Sequence, residues 1–358
     1  MDHHMKPMRT AAIGCGKISN IYFTNLIHRC ENIQLVSCCS QRMESAMSQA
    51  AKYGLKAETL EQILEDPEIE LVVILTPAHS HYGLAKKCLA AGKHVYVEKL
   101  FTETHQQAEE LLALANEKNL KIGVAPDTFL GIPFQTIQKA VADGLIGEIT
   151  GVSVAHNKCF SRLYETYSFL LEPGADFASD FGPYYVTALL NLLGPVEFVS
   201  GFQMISRPRR TFAKNGEPFV VDNANVASMS LKFANGVLGS IFLAGDNVDP
   251  EHPIFMIYGT EGTIFGPDMN RFDGKVYYQN TETAKLPERG KVELKLLPGS
   301  LEDGRGIGID EMAEAIWQNR EPLASGVKAA HVVEIMEGFK KSSDEGVTYK
   351  MKSGFLVR

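Results

Sequence analysis

The 358-residue chain has no apolar run long enough to cross a bilayer, which takes about 20 residues. It also has no basic run, and 43 acidic residues outweigh 35 basic ones for a net charge of −8. Nucleic-acid and membrane partners are therefore not expected, and a small-molecule substrate is the default. Cysteine is sparse: Cys15, Cys30, Cys38, Cys39, Cys88 and Cys159 form no CxxC pair and no metal-ligand spacing. They read as reduced, structural thiols. The opening MDHHMKPMRT lacks the apolar core of a secretory signal, so a cytoplasmic location follows by elimination. His3 and His4 read as a frayed terminus rather than a ligand pair, and no metal is expected. Internal repeats and low-complexity tracts are also missing.

What is present begins at Thr10–Ser19, TAAIGCGKIS, where a short apolar run opens into a glycine-rich turn and then helix-like sequence. Gly14 allows the tight turn, Gly16 lets the backbone approach a diphosphate, and small Ser19 stands where helix and strand must pack closely. Backbone N–H groups of Lys17 and Ile18 at the helix start would hold the phosphate charge. By itself this GxGxxS is a weak sign of dinucleotide binding. Its setting strengthens it.

From Thr10 to Ala125 short apolar runs alternate with amphipathic stretches, the pattern of a doubly wound parallel sheet covered by helices. Strands are expected at Thr10–Gly14, Ile33–Ser40, Leu71–Thr76, His94–Glu98 and Lys121–Ala125. In the usual order the first and fourth of these are neighbours, so Gly14–Gly16 and Glu98-Lys99 leave toward one crevice. A lysine after a strand is commonly a solvated charge; this one is singled out by its position. The helix after Thr104 starts at a capping-box spacing with Gln107.

Past Ala125 strand-like stretches dominate, from Glu148–His156 to Val292–Leu297, with Asn235-Gly236 as a type I′ hairpin signal between two of them. The expected fold is an α/β Rossmann domain over residues 1–126 and an α+β domain over 127–358. The second is built on a large, mostly antiparallel open sheet, and the C-terminal helices are free to pack back on the first. A sheet face left uncovered points to a homodimer or homotetramer through that sheet.

The stretches TPAHSH (Thr76–His81) and AAGKHVYVEKL (Ala90–Leu100) resemble the Gfo/Idh/MocA family of NAD(P)-dependent oxidoreductases. So do DGLIGEI at Asp143–Ile149, DFGPYY at Asp180–Tyr185, and the C-terminal GIGIDEMAEAI and AAHVVEIMEG, so the resemblance covers nearly the whole chain. It implies a catalytic lysine at Lys99 and an aspartate at Asp180. Leu100 stands where the family usually has proline, and Tyr184 where it usually has histidine. The implied activity is hydride transfer between nicotinamide and a secondary alcohol or ketone of a sugar, cyclitol or related polyol.

That chemistry needs a proton route to the hydroxyl oxygen. Tyr184 supplies one if a nearby cation lowers its pKa, and Lys99 would stabilise the developing alkoxide. Asp180, four residues before Tyr184, either binds another substrate hydroxyl or caps the helix. Tyr185 points away and reads as packing, as does His331. The resemblance places Thr76, Pro77, His81 and Glu98 at the cofactor, although His81 serves equally as a capping or packing group. Asp127, Thr128 and the stretch Asn157–Tyr167 are open candidates for substrate contact. At the second strand's end SCCSQR (Ser37–Arg42) has no acid for a ribose 2′-hydroxyl. Ser40 and Arg42 favour a 2′-phosphate, hence NADP over NAD, unless Arg42 is only a solvated charge.

Overall fold

The computed structural model describes residues 6–158, 163–166, 168–172, 175–247, 254–285 and 290–356. The chain forms two compact units, one running through Leu130 and taking in Asp303–Val333, the other comprising Gly131–Glu302 and the residues from Glu334 on. The first unit opens with β1 (Met8–Ile13), α1 (Ser19–His28), β2 (Ile33–Cys39), α2 (Met43–Tyr53), β3 (Lys56–Ala57) and α3 (Leu60–Glu65). It continues through β4 (Leu71–Ile74), α4 (His81–Ala90), β5 (His94–Val97), α5 (His105–Glu117) and β6 (Ile122–Val124). All pairings in its sheet are parallel, in the order β3-β2-β1-β4-β5-β6.

This order corrects one expectation. The first strand's neighbours are β2 and Leu71–Ile74, and the strand carrying His94–Val97 lies one place further out. The cause is β3, a two-residue strand too short to show a period, which takes the third place in the count. Central strands are buried on both faces and so read as unbroken apolar runs: every residue of β4, Leu71-Val72-Val73-Ile74, is fully buried.

The second unit begins with α6 (Ile132–Ala142) and β7 (Ile149–Asn157), then a short turn of helix α7 (Leu163–Thr166) and the long α8 (Phe177–Leu193). Then come β8 (Val196–Met204), a small hairpin β9 (Arg209–Thr211) with β10 (Pro218–Val220), β11 (Val226–Phe233) and β12 (Leu238–Ala244). The remaining strands are β13 (Phe255–Gly259), β14 (Gly262–Gly266), β15 (Tyr277–Asn280) and β16 (Val292–Glu293). Helix α9 (Ile307–Trp317) belongs to the first unit, helix α10 (Gly326–Glu345) contains the Val333/Glu334 division, and β17 (Tyr349–Lys350) lies in the second.

Nine strands form one sheet in the order β16-β15-β14-β13-β7-β12-β11-β8-β17. Only β7 and β12 pair in parallel. Burial alternates residue by residue along β11 and β12, as a sheet with one packed face requires. The β11–β12 hairpin is present, but its turn is not type I′. Only Gly236 has a left-handed φ, +89°, and Gly236 N–H donates to Phe233 O, leaving Ala234 and Asn235 as the central pair. Ala234 would be strained in the left-handed region, so the chain uses a longer loop with one glycine in that conformation. Asn235 Oδ1 accepts from Val237 N–H at 3.1 Å.

Candidate functional site

In the first unit the glycine turn follows β1 directly. Gly14 is buried with φ +110°, and a Cβ there would lie 2.6 Å from Leu75 O. Only glycine fits this close approach to the end of β4. Gly16 is the opposite case: it is exposed, and a Cβ there would meet nothing within 4 Å. Lys17 and Ile18 are exposed as well, while Ser19 is fully buried with its Oγ donating to Gly16 O at 2.7 Å. The turn is therefore tight underneath and open above, at the start of a ten-residue helix. That is the cradle a diphosphate requires, so these residues fit a dinucleotide.

Thr76 stands against this turn, its Cγ2 about 3.1 Å from where a Gly14 Cβ would be. Its Oγ1 accepts from Ser80 Oγ at 2.7 Å, and Pro77 beside it is exposed, as is His79. His81 departs from the cofactor contact expected of it. It is fully buried, with Nε2 2.7 Å from Thr76 O and Nδ1 2.7 Å from Leu100 O. Both nitrogens face the main chain, so the ring ties the β4 and β5 loops together. Burial lowers its pKa, against the pull of the two carbonyls.

Glu98 is likewise committed internally. Its Oε1 accepts from Tyr22 Oη at 2.7 Å and its Oε2 from the Lys99 N–H at 2.8 Å. The carboxylate thus links helix α1 to the backbone that presents half-buried Lys99. The Lys99–Leu100 peptide is cis, with Leu100 in the place of the usual proline. Asp127, an open candidate for substrate, is fully buried, and Oδ2 accepts from Gly306 N–H at 2.8 Å and Gly308 N–H at 3.0 Å. It caps the entry to α9. Burial pushes its carboxyl up to about 6, partly offset by those two N–H groups. Thr128 is buried next to it.

At the end of β2, Ser40 is half-buried and Arg42 is exposed at the N-terminus of α2. Sequence reasoning missed Glu58, which follows β3; its N–H donates to Cys38 O, and its charge raises the Cys38 and Cys39 thiols. Its Oε2 is buried without a hydrogen-bond partner.

In the second unit Asp180 and Tyr184 are both half-buried and lie one turn apart on the same side of α8. The capping alternative for Asp180 falls away. Asp176 is the N-cap, its Oδ1 accepting from Ser179 N–H at 2.9 Å, and Asp180 sits inside the first turn. Tyr185 does more than pack. It is fully buried, its Oη donates to Asp268 at 2.8 Å, and His156 Nδ1 approaches the same oxygen at 2.5 Å. A phenol has one proton, so His156 supplies the second hydrogen bond from Nδ1–H, which leaves Nε2 unprotonated. Burial holds the His156 imidazole down to about 4. Of the stretch Asn157–Tyr167, residues 159–162 and 167 lie outside the described residues, and His331 is buried in α10.

The family model described as the oxidoreductase family, NAD-binding Rossmann fold, matches residues 8–125, and that of the GFO/IDH/MocA C-terminal domain matches 134–265. The chain belongs to the GFO/IDH/MocA oxidoreductase family. Among its relatives is the uncharacterized oxidoreductase YhhX of Escherichia coli, 30% identical over 71% of this chain and 70% of that protein. Another is the scyllo-inositol 2-dehydrogenase (NADP(+)) IolW of Bacillus subtilis, 25% identical over 96% of each. The fold is that of levoglucosan dehydrogenase solved with NADH and L-sorbose, at TM-score 0.82 and 20% identity, covering 98% of this chain and all of that one. The family assignment gives an NAD(P)-binding oxidoreductase, and no helix among the described residues is long and apolar enough to cross a membrane.

Proposed function

We propose that the chain is an NAD(P)-dependent dehydrogenase or reductase acting on a secondary alcohol or the matching ketone of a sugar, cyclitol or related polyol. The observation that carries this reading is the pairing of Asp180 and Tyr184 on one side of α8, with the cap supplied by Asp176, in a family of oxidoreductases. A hydroxyl-bearing substrate needs a carboxylate to hold one hydroxyl and a proton carrier for another, and those are the groups offered. Bound nicotinamide would supply the hydride acceptor. Tyr184 takes the hydroxyl proton, Lys99 holds the oxygen as charge develops on it, and Asp180 orients the substrate through a neighbouring hydroxyl.

Gly14, Gly16, Lys17 and Ile18 hold the diphosphate in this reading, with Thr76 and Pro77 bordering it. NADP is the favoured cofactor: Arg42 is exposed at the start of α2, and the full-length relative IolW is an NADP(+) enzyme by name. The outer face of the nine-stranded sheet carries Phe202, Leu238, Phe242 and Tyr258, between 36% and 68% exposed. Phe202 and Phe242 fall in one cross-strand row on either side of Ser228. We assign this face to a homodimer or homotetramer. The function is tested by following nicotinamide absorbance with NADP+ and NAD+ over a panel of cyclitols, aldoses and anhydrosugars. Saturable reduction with at least one of them is expected; none across the panel in either direction would overturn the reading.

A further inference from the structure

Side chains in or beside four strands of the second unit meet at one carboxylate that the proposed chemistry does not use. Asp246, just past β12, accepts from Arg210 of β9 through Nη1 at 2.8 Å and Nη2 at 2.5 Å. It also accepts from Asn225 Nδ2, next to the start of β11, at 2.8 Å, and from the Ser206 hydroxyl just past β8. The Arg210 and Asp246 side chains are each 7% exposed. Burial works to raise the Asp246 carboxyl, but its bonds from Arg210, Ser206 and Asn225 hold it below its ordinary value, so the pair stays charged. The Arg210 guanidinium also lies 5.0 Å from the ring centre of Tyr164, in the connection from β7 to α8.

Such a pair is a poor source of stability, since well-packed apolar residues of like volume do as well. Its forked geometry supplies direction instead. That direction reaches α8 through Asn225, which is buried and bonded on all sides. Its Nδ2 reaches Asp246, its Oδ1 accepts from Ser206 N–H at 2.8 Å, its own N–H donates to Met204 O and its carbonyl accepts from Gly245 N–H. The neighbouring Ala224 O accepts from Phe177 N–H at 2.8 Å. Phe177 opens α8, and the first N–H groups of a helix have no partner within it. Asp180 lies in that same first turn. On either side of Asp246, Ala244 O accepts from Lys158 N–H at 2.9 Å and Asn247 Nδ2 donates to Asn157 Oδ1 at 2.9 Å, so the end of β7 is fastened there too.

We propose that Arg210 and Asp246 are positioning residues for the substrate, setting the first turn of α8, and with it Asp180, in the orientation that fits one arrangement of hydroxyls on a polyol. They act through Asn225 and the Ala224 carbonyl. A turn of α8 that is free to shift carries the Asp180 carboxylate away from the hydroxyl it holds, so substrate affinity falls and epimers are told apart less well. The proton carried by Tyr184 and the cofactor held by the first unit are not altered by that shift. Apolar residues in place of the pair would fill the space and lose the direction. The effect on substrate rests on Asp180 as the group that orients a polyol; the grip on α8 does not.

The test compares the full wild-type chain with Arg210→Lys and with an apolar pair that combines Arg210→Met and Asp246→Leu. Hydrogen exchange in the peptide that opens with Phe177 reads the grip on α8 without any substrate. It should speed up about tenfold in the apolar pair, and an unchanged rate overturns the proposal. On the best substrate of the panel the apolar pair should raise KM about tenfold, with kcat and NADPH affinity within about twofold of wild type. Arg210→Lys keeps the charge but not the fork; it should raise KM about threefold, and it decides the matter if the apolar pair fails to fold. A wild-type KM in folded protein, or KM, kcat and NADPH affinity lost together, overturns the positioning role. Asp180→Ala separates the two failures. If it raises KM while the Arg210 and Asp246 variants do not, the positioning role is wrong; if it leaves KM unchanged, the substrate role of Asp180 is wrong.

Discussion

Two groups of polar side chains, one in each unit, are put to different uses. In the first, His81 and Asp127 turn toward backbone atoms, and Glu98 joins the Lys99 N–H to the Tyr22 hydroxyl, so that the loops at the ends of parallel strands are fixed. In the second, Tyr185, on the helix that also carries Asp180 and Tyr184, bonds side chain to side chain with His156 and Asp268. The contrast follows from sheet type. A parallel sheet buried on both faces offers function only at its strand ends, so loop conformation is what must be held. An antiparallel sheet with one packed face can carry a helix across it, and there the helix orientation is what must be held. The first arrangement fixes the loops beside the glycine turn, the second the helix that carries Asp180 and Tyr184.

The sharpest test of that division is Lys99→Ala, which should lower turnover by about a thousandfold with little change in fold, as loss of an oxyanion partner does. Next in size is the glycine contrast within the turn. Gly14→Ala, with its Cβ at 2.6 Å from Leu75 O and φ of +110°, should cost about 3 kcal/mol of stability or abolish NADPH binding. Gly16→Ala meets open space and should keep the fold while weakening the cofactor alone, read by calorimetry beside a thermal melt.

Asp127→Ala strands two buried N–H groups and should destabilise by about 3 kcal/mol. Asp127→Asn keeps an acceptor and separates charge from shape. The Asp127 carboxyl binds its proton more tightly folded, at about 6, than unfolded, where an aspartate titrates near its ordinary value of about 3.9. Wild type therefore loses stability as pH rises from about 4 to about 6, because the folded state holds the proton the unfolded state has released. Asp127→Asn should flatten that stretch of the melting curve against pH; an unchanged slope would show that the carboxyl titrates normally.

In the second unit Tyr185→Phe removes the oxygen shared by His156 and Asp268 and should cost about 2 kcal/mol. Cofactor affinity should be unaffected, a split that the first unit's variants cannot show. The smallest expected effect is Arg42→Ala, about a tenfold weakening of NADPH and little change for NADH, measured by nicotinamide fluorescence.

How legible this was depended on sequence distance. The glycine turn, the apolar strand runs and the alternating β11 and β12 were readable because each signal is local. The helix over Leu60–Glu65 was also written in the sequence: Thr59 and Gln62 form a full capping box, a signal passed over between stronger elements. At Thr104 only half the box forms, since Gln107 Oε1 accepts from Glu103 N–H instead. β3 was beyond reach, two residues being too few to carry a period, and the strand count slipped with it. Asp127 and Gly306 are 179 positions apart, and Tyr185 and Asp268 are 83 apart. No pattern in one sequence joins such pairs, so their roles emerged only once the chain was folded.

The measurement that bears most directly on the proposed division, cofactor held by the first unit and proton moved from the second, is Tyr184→Phe, assayed for NADPH affinity and for turnover on the best substrate of the panel. Unchanged affinity with turnover reduced about a hundredfold or more is the expected result. Turnover at the wild-type level, or cofactor binding lost together with it, would contradict the account.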